Sequence, residues 1–195
     1  MDWIATAGEL RAATIAAVDM LSSVLEGRRL YAVCLQTADD GMSVGFCANT
    51  EESYAEKHAS EAAIEDMSSD YATYLRWAPA EWGYEGFGDD LFADINRDLT
   101  AASATSNDDF ALYFDHLIHA MIDALAHLQA ERAQALEGVT LFVTISDSEA
   151  ARAVERNSVQ RLNRSTLAAE FGQRLGRSGS AAPEAAVPWS TETRG

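Results

Sequence analysis

The sequence predicts an α+β fold, a small and mainly antiparallel sheet of about three or more strands packed against several helices. Three observations carry this. RLYAVCLQT and MSVGFCANT alternate in the manner of strands and flank a TADDG turn. A third stretch, VTLFVTISD, lies far downstream and is rich in β-branched residues. The order is helix, hairpin, helices, strand, helices, without the regular strand–helix alternation of a parallel α/β protein. An isolated hairpin is marginal, so the third strand must join it, beside either the first or the second.

Each element has a local signature. Thr6 to Glu9 has the spacing of a capping box. Leu10, Ala13, Ala17, Leu21 and Val24 follow at helical spacing, with Val18 and Leu25 beside them, which predicts an amphipathic helix ending at Gly27. On the first strand Tyr31, Val33 and Leu35 share a face, matched by Val44, Phe46 and Ala48 on the second. The opposite face carries Ala32, Cys34, Gly45 and Cys47, small enough for a helix backbone to pack closely. A turn centred near Asp40 sets Cys34 almost opposite Cys47. A cross-strand disulfide is conceivable there, but a reducing compartment favours two buried free thiols.

Asn49 to Glu52 repeats the capping-box spacing and opens a helix containing Tyr54, His58, Ala62, Glu65 and Met67. DYATYLRW continues that helix or forms a second. Pro79 fits the first turn of another, with Glu81 near its positive end. Asn107 and Asp108 are placed to cap a long helix from Asp109 to about Leu136. Its buried side is Phe110, Phe114, Leu117, Met121, Leu125 and Leu128, and Gly138 ends it. Ser146 to Glu149 has cap spacing ahead of EAARAVERNSVQRLN, and LAAEFGQRL forms the last helix. Residues 1–175 read as a single domain. Residues 176–195, rich in Gly, Ser, Ala and Pro, read as a flexible tail, in which Trp189 is either a lone exposed ring or a ring that docks on the body or on a partner.

The 195 residues carry a formal charge of −17. That field repels nucleic acid and anionic membrane and favours basic partners. The start, MDWIATAGEL, lacks a basic region followed by an apolar run, and no stretch is long enough to span a bilayer, so a cytoplasmic location is expected. There is no glycine-rich phosphate loop, nucleophile elbow or HExxH. Cys34 with His58 would make a thiol–imidazole pair, but a mid-strand cysteine among apolar residues is ordinarily inert. Glu81, Glu85, Asp89 and Asp90 would suit a paired-carboxylate hydrolase, but all lie in one segment. The expectation is a protein without catalytic activity or cofactor.

RWAPAEWGYEGFGDD concentrates rings and acids far from either end. In one reading its large rings anchor a long connection to the core, with Arg76 paired to a nearby acid. In the other it meets a partner through Arg76, Trp77, Glu81, Trp82, Tyr84, Glu85, Asp89 and Asp90. The two can coexist. A weaker candidate is the polar stripe of the long helix, where His116, His119 and Asp123 share an arc with His127. Such residues can hold zinc or nickel, but a solvated face explains them equally, and no physiological metal is expected.

LYAVCLQT with the following NTEE, RWAPAEW with its aromatic-acidic run, and LFVTISDSE resemble a bacterial family known as domain of unknown function 4303. The resemblance runs from about Gly8 to Leu175, and RWAPAEW is its most specific part. Asn49, Thr50, Glu51 and Glu52 match the family's strand-to-helix element. Arg76, Trp77, Pro79, Glu81 and Trp82 match its central motif, and Ser146 and Asp147 its late strand end. The resemblance implies no reaction. By analogy with immunity proteins of similar size and composition, the leading expectation is a non-enzymatic acidic protein that neutralises a basic bacterial toxin by stoichiometric binding. The alternatives are a small enzyme or ligand-binding domain using Trp77–Asp90, and a housekeeping partner protein whose acidity serves solvation alone.

Overall fold

The computed structural model describes residues 1–64, 66–103, 109–146 and 148–177. Three strands form one sheet in the order β2-β1-β3: β1 (Leu30–Ala38), β2 (Val44–Thr50) and β3 (Thr140–Ser146). The hairpin is antiparallel, as its short turn requires. β3 joins beside β1 and runs parallel to it, a pairing that needs the long helical connection between them. The sheet is therefore mixed within the expected α+β architecture.

The helices are α1 (Trp3–Val24), α2 (Glu51–Ala62), α3 (Ser69–Trp77), α4 (Ala93–Ser103), α5 (Phe110–Glu131), α6 (Ala151–Leu162) and α7 (Ser165–Arg177). Several boundaries differ from the sequence expectation. Asp2, not Thr6, caps α1, accepting from the amides of Ile4 and Ala5. Thr6 lies inside the helix and donates its hydroxyl back to the Asp2 carbonyl. α1 ends before Gly27, and Glu26 and Gly27 turn the chain with positive φ of 49° and 85°. Thr50 rather than Asn49 caps α2, because the Asn49 amide is committed elsewhere. α2 stops at Ala62, Met67 lies beyond it, and DYATYLRW belongs to a separate helix. α5 ends at Glu131, before Leu136. No side chain caps α6 in the manner of a Ser146–Glu149 box. α4 has no counterpart in the sequence reading. Asn107, Asp108, Glu65, Asp147 and residues 178–195, Trp189 among them, lie outside the described residues.

Two cores flank the sheet. α1 and α5 cover the face of Val33, Leu35, Val44, Phe46, Leu141 and Val143. The other face holds Ala32, Cys34, Cys47 and Phe142, with Trp77, Trp82, Val159 and Phe171. Tyr31 joins this second core, not the Val33 face, because the β1–β2 register shifts between Leu30 and Ala32. One irregular residue there is enough to turn a side chain through the sheet. Aromatic rings share this core with Ala32, Cys34 and Cys47, Trp82 packing edge-on against Phe142 and Tyr31, while the space above Gly45 is open. Cys34 and Cys47 face each other as paired residues, both free and buried. Burial raises the Cys34 thiol pKa and pushes that of Cys47 up to about 11.

Both outer edges of the sheet are capped at several positions, by side chains on β3 and by a side chain and a neighbouring backbone segment on β2. On β3, the Asn163 amide accepts from Leu141 N and donates to Leu141 O, at 2.9 and 2.7 Å. Ser158 accepts from Val143 N at 3.0 Å. On β2, Asn96 makes the same reciprocal pair with Val44, at 2.8 and 3.1 Å. The segment after Trp82 continues along β2, with Ala48 N donating to Tyr84 O and Phe87 N to Phe46 O. Among the described residues no helix is long and apolar enough to cross a membrane.

Candidate functional site

α3 ends at Trp77 because Pro79 follows two residues later. The residue before a proline avoids helical ψ, and Ala78 is extended at φ −90°, ψ 109°. A single 3-10 turn, Pro79–Glu81, then returns the chain so that Trp82 faces inward beside Trp77. Both rings are buried, at 4% and 5% exposure. The Arg76 carbonyl satisfies two buried donors at once, the Tyr31 hydroxyl and the Trp82 indole N–H. A buried Trp or Tyr needs such an acceptor, so the motif supplies its own.

The Arg76 side chain runs the other way. Two guanidinium nitrogens donate to the two carboxylate oxygens of Glu51, at 2.9 and 2.8 Å. The guanidinium carbon sits 4.3 Å from the Tyr31 ring centroid, 5.2 Å from Tyr54 and 5.4 Å from Trp77. This is a cation box of the kind that binds alkylammonium ligands, already filled by the chain's own arginine. Glu51 also stands in the first turn of α2, where negative charge is favourable.

Arg76 holds the Glu51 carboxyl below the usual glutamate range. A depressed folded-state pKa adds stability above the ordinary glutamate value and loses it as pH falls through the lowered one. Glu51→Gln is expected to cost about 1–2 kcal/mol at neutral pH, with the difference from the parent vanishing in strong acid. Urea midpoints of the two proteins at neutral and low pH check this.

The other candidates separate. Tyr84 is half-buried and edge-on to Phe87 at 5.8 Å. Gly86 and Gly88, at φ 62° and 73°, turn the chain outward. Glu85, Asp89 and Asp90 stand exposed, with Asp89 folded back over Gly86. Glu81 belongs to a different patch, where it accepts from Lys57 and from the Tyr74 hydroxyl, both at 3.2 Å. There Tyr71 stacks on Tyr74 at 5.9 Å and donates to Glu61. The sequence reading missed that pair, although its two tyrosines sit three apart on DYATYLRW.

One further group was not anticipated. Glu155 of α6 is buried at 2% exposure, and one of its oxygens accepts from Thr144 at 2.7 Å and from Arg174 at 3.3 Å. Its other oxygen has no hydrogen-bond partner among the described residues. Burial raises its carboxyl pKa. An apolar helix position occupied by Glu was the only sequence signal.

The histidine stripe is not assembled into a site. His116 stacks on Trp3 at 5.4 Å, His119 Nδ1 lies 2.9 Å from the Asp115 carbonyl, and Asp123 pairs with Arg11 at 2.6 Å. Among the described residues no three His, Cys, Asp or Glu side chains converge on a metal position. Cys34 gives its S–H to the Leu35 carbonyl, while His58 packs on Tyr54.

A family model described as domain of unknown function (DUF4303) matches residues 10–164. No curated protein and no solved structure matches significantly. The match takes in the whole sheet, the Arg76–Trp82 motif and every helix from α2 to α6. This chain belongs to the DUF4303 family.

Proposed function

We propose that this protein is a non-enzymatic binding protein that captures a basic protein partner stoichiometrically, as an immunity protein neutralises a toxin. The observation that carries this is the division of labour in RWAPAEWGYEGFGDD. Its tryptophans hold the segment to the core, and its last acids, Glu85, Asp89 and Asp90, are presented to solvent beside β2. Acids fixed on an anchored segment, on a chain of charge −17, suit electrostatic capture of a basic surface in the cytoplasm. Such a surface repels nucleic acid and anionic lipid.

The test measures association with the product of the adjacent gene at low and high salt. Exposed charges are screened beyond about 8 Å at physiological ionic strength, so the on-rate should fall as salt rises. The double variant Asp89→Asn, Asp90→Asn should lower the on-rate several-fold and leave the off-rate nearly unchanged. Salt-independent association, or unchanged kinetics in the variant, would remove this surface. Turnover of a small molecule that disappears in Glu81→Gln would favour an enzyme in Trp77–Asp90 instead.

A further inference from the structure

Tyr71 and Tyr74 lie three apart on α3, so they share one face of the helix. Their rings stack at 5.9 Å with 14° between the planes, and the residues are 37% and 46% exposed. Hydroxyl bonds hold both rings in place. Tyr71 donates to Glu61 at 3.4 Å and Tyr74 to Glu81 at 3.2 Å. Lys57 bridges the same two carboxylates, at 3.4 and 3.2 Å. Large rings fixed at a surface lose little freedom on contact, and tyrosine is among the residues that carry most of the energy of interfaces.

Beside this pair a cavity of about 230 Å³ opens between the end of α2 and the start of α3. It is lined by Glu61, Asp66, Met67, Ser68 and Tyr71, none of them basic. Sites for small molecules run from about 300 to 1,000 Å³, so this cavity suits a single side chain better than a metabolite. Its lining sets which side chain. The carboxylates favour a cation, Tyr71 brings an aromatic ring, and the Met67 thioether adapts to an apolar stem. Glu61 is already engaged by Lys57 and Tyr71, which leaves the exposed Asp66 for an incoming charge. A lysine ammonium meets the charge alone. A planar guanidinium can stack on the ring and fork onto the carboxylate together.

We propose that the cavity between α2 and α3 is a binding site for an arginine side chain of a basic protein partner, its guanidinium stacked on Tyr71 and forked onto Asp66. This rests on the binding-protein reading and adds to it a point of attachment separate from Glu85, Asp89 and Asp90.

An NMR titration of the full chain tests it, with N-acetylarginine amide, N-acetyllysine amide and the neutral isostere N-acetylcitrulline amide as probes. The Tyr71 ring and Ser68 amide signals should move and saturate with the arginine compound. Its binding should be at least about 10-fold tighter than that of the citrulline compound, which lacks the charge-assisted hydrogen bonds. The lysine compound should fall between them. Asp66→Asn and Tyr71→Leu should each weaken arginine binding about 5-fold or more, while Tyr71→Phe, which keeps the ring, should bind like the parent. Equal binding of the arginine compound and either of the others would overturn the proposal. So would shifts that never saturate at the cavity, or parent-like binding in Asp66→Asn. Asp66 is exposed, so that variant keeps the test decisive if Tyr71→Leu does not fold. If arginine is not bound while association with the product of the adjacent gene still slows with salt, this inference fails and the binding reading stands. Salt-independent association sinks the reading itself.

Discussion

Trp82→Ala should destabilise the protein by about 3–5 kcal/mol, the usual cost of removing a large buried ring. The ring is 5% exposed and packs edge-on against Phe142 and Tyr31, at 5.7 and 6.2 Å. It shares its core with Ala32, Cys34 and Cys47, side chains too short to reach into the space left behind. The void therefore persists, and the cost lies toward the upper end of that range. The urea midpoint should fall with little change in slope, as expected when stability alone changes. Tyr84→Ala, at a half-buried position, should cost visibly less. A parent-like midpoint for Trp82→Ala together with lost partner binding would make Trp82 a contact residue and reverse the anchoring role.

Asn163→Ala should cost about 2–4 kcal/mol, although it removes few apolar contacts. The Asn163 side chain makes three hydrogen bonds, to Leu141 N, Leu141 O and Val159 O. Leu141 is fully buried, so both its backbone groups lose their partners, and each orphaned group costs about 1–3 kcal/mol. Asn163→Asp should not rescue. It keeps an acceptor for Leu141 N but sets a carboxylate against two carbonyl oxygens. Thermal unfolding of Asn163→Ala, Asn163→Asp and the parent checks the ranking. Light scattering near the transition should also show earlier aggregation in the variants, because an unpaired edge has been opened. Equal stability of the parent and the alanine variant would mean that water replaces the amide freely.

The strands were legible because their alternation is a local signal. RLYAVCLQT and VTLFVTISD carry it without help from the rest of the chain. The face of Tyr31 was not legible, since a register shift belongs to the pairing and leaves no mark on one strand. Helix starts were misplaced by a few residues where several capping residues compete. Asp2 preceded Thr6, and Asn49 was taken by Tyr31 and Gly83. α4 was missed because ADINRDLTAAS is largely polar, with Ile95 and Leu99 as its main buried residues. At the candidate site, the anchoring of Trp77 and Trp82 and the pairing of Arg76 were visible in the motif. The Glu51 partner, the filled cation box and the Arg174–Glu155 contact join residues distant in sequence, and only the fold brings them together.

The closed edges of the sheet bear on how this protein can be recognised. Many proteins are bound by strand donation, in which an extended peptide zips onto a free edge through main-chain hydrogen bonds and needs little from side chains. Here the groups that such a peptide would use are taken, at Leu141 and Val143 on one side and at Val44, Phe46 and Ala48 on the other. Strand donation is barred at those positions. On the proposed binding reading, a partner would be read at those positions through side chains, by charge, ring and shape, where mismatched charges and clashes can exclude the wrong partner. If the proposed capture of a basic partner holds, substitutions among the acids beside β2 should change which partner is bound while leaving the sheet intact.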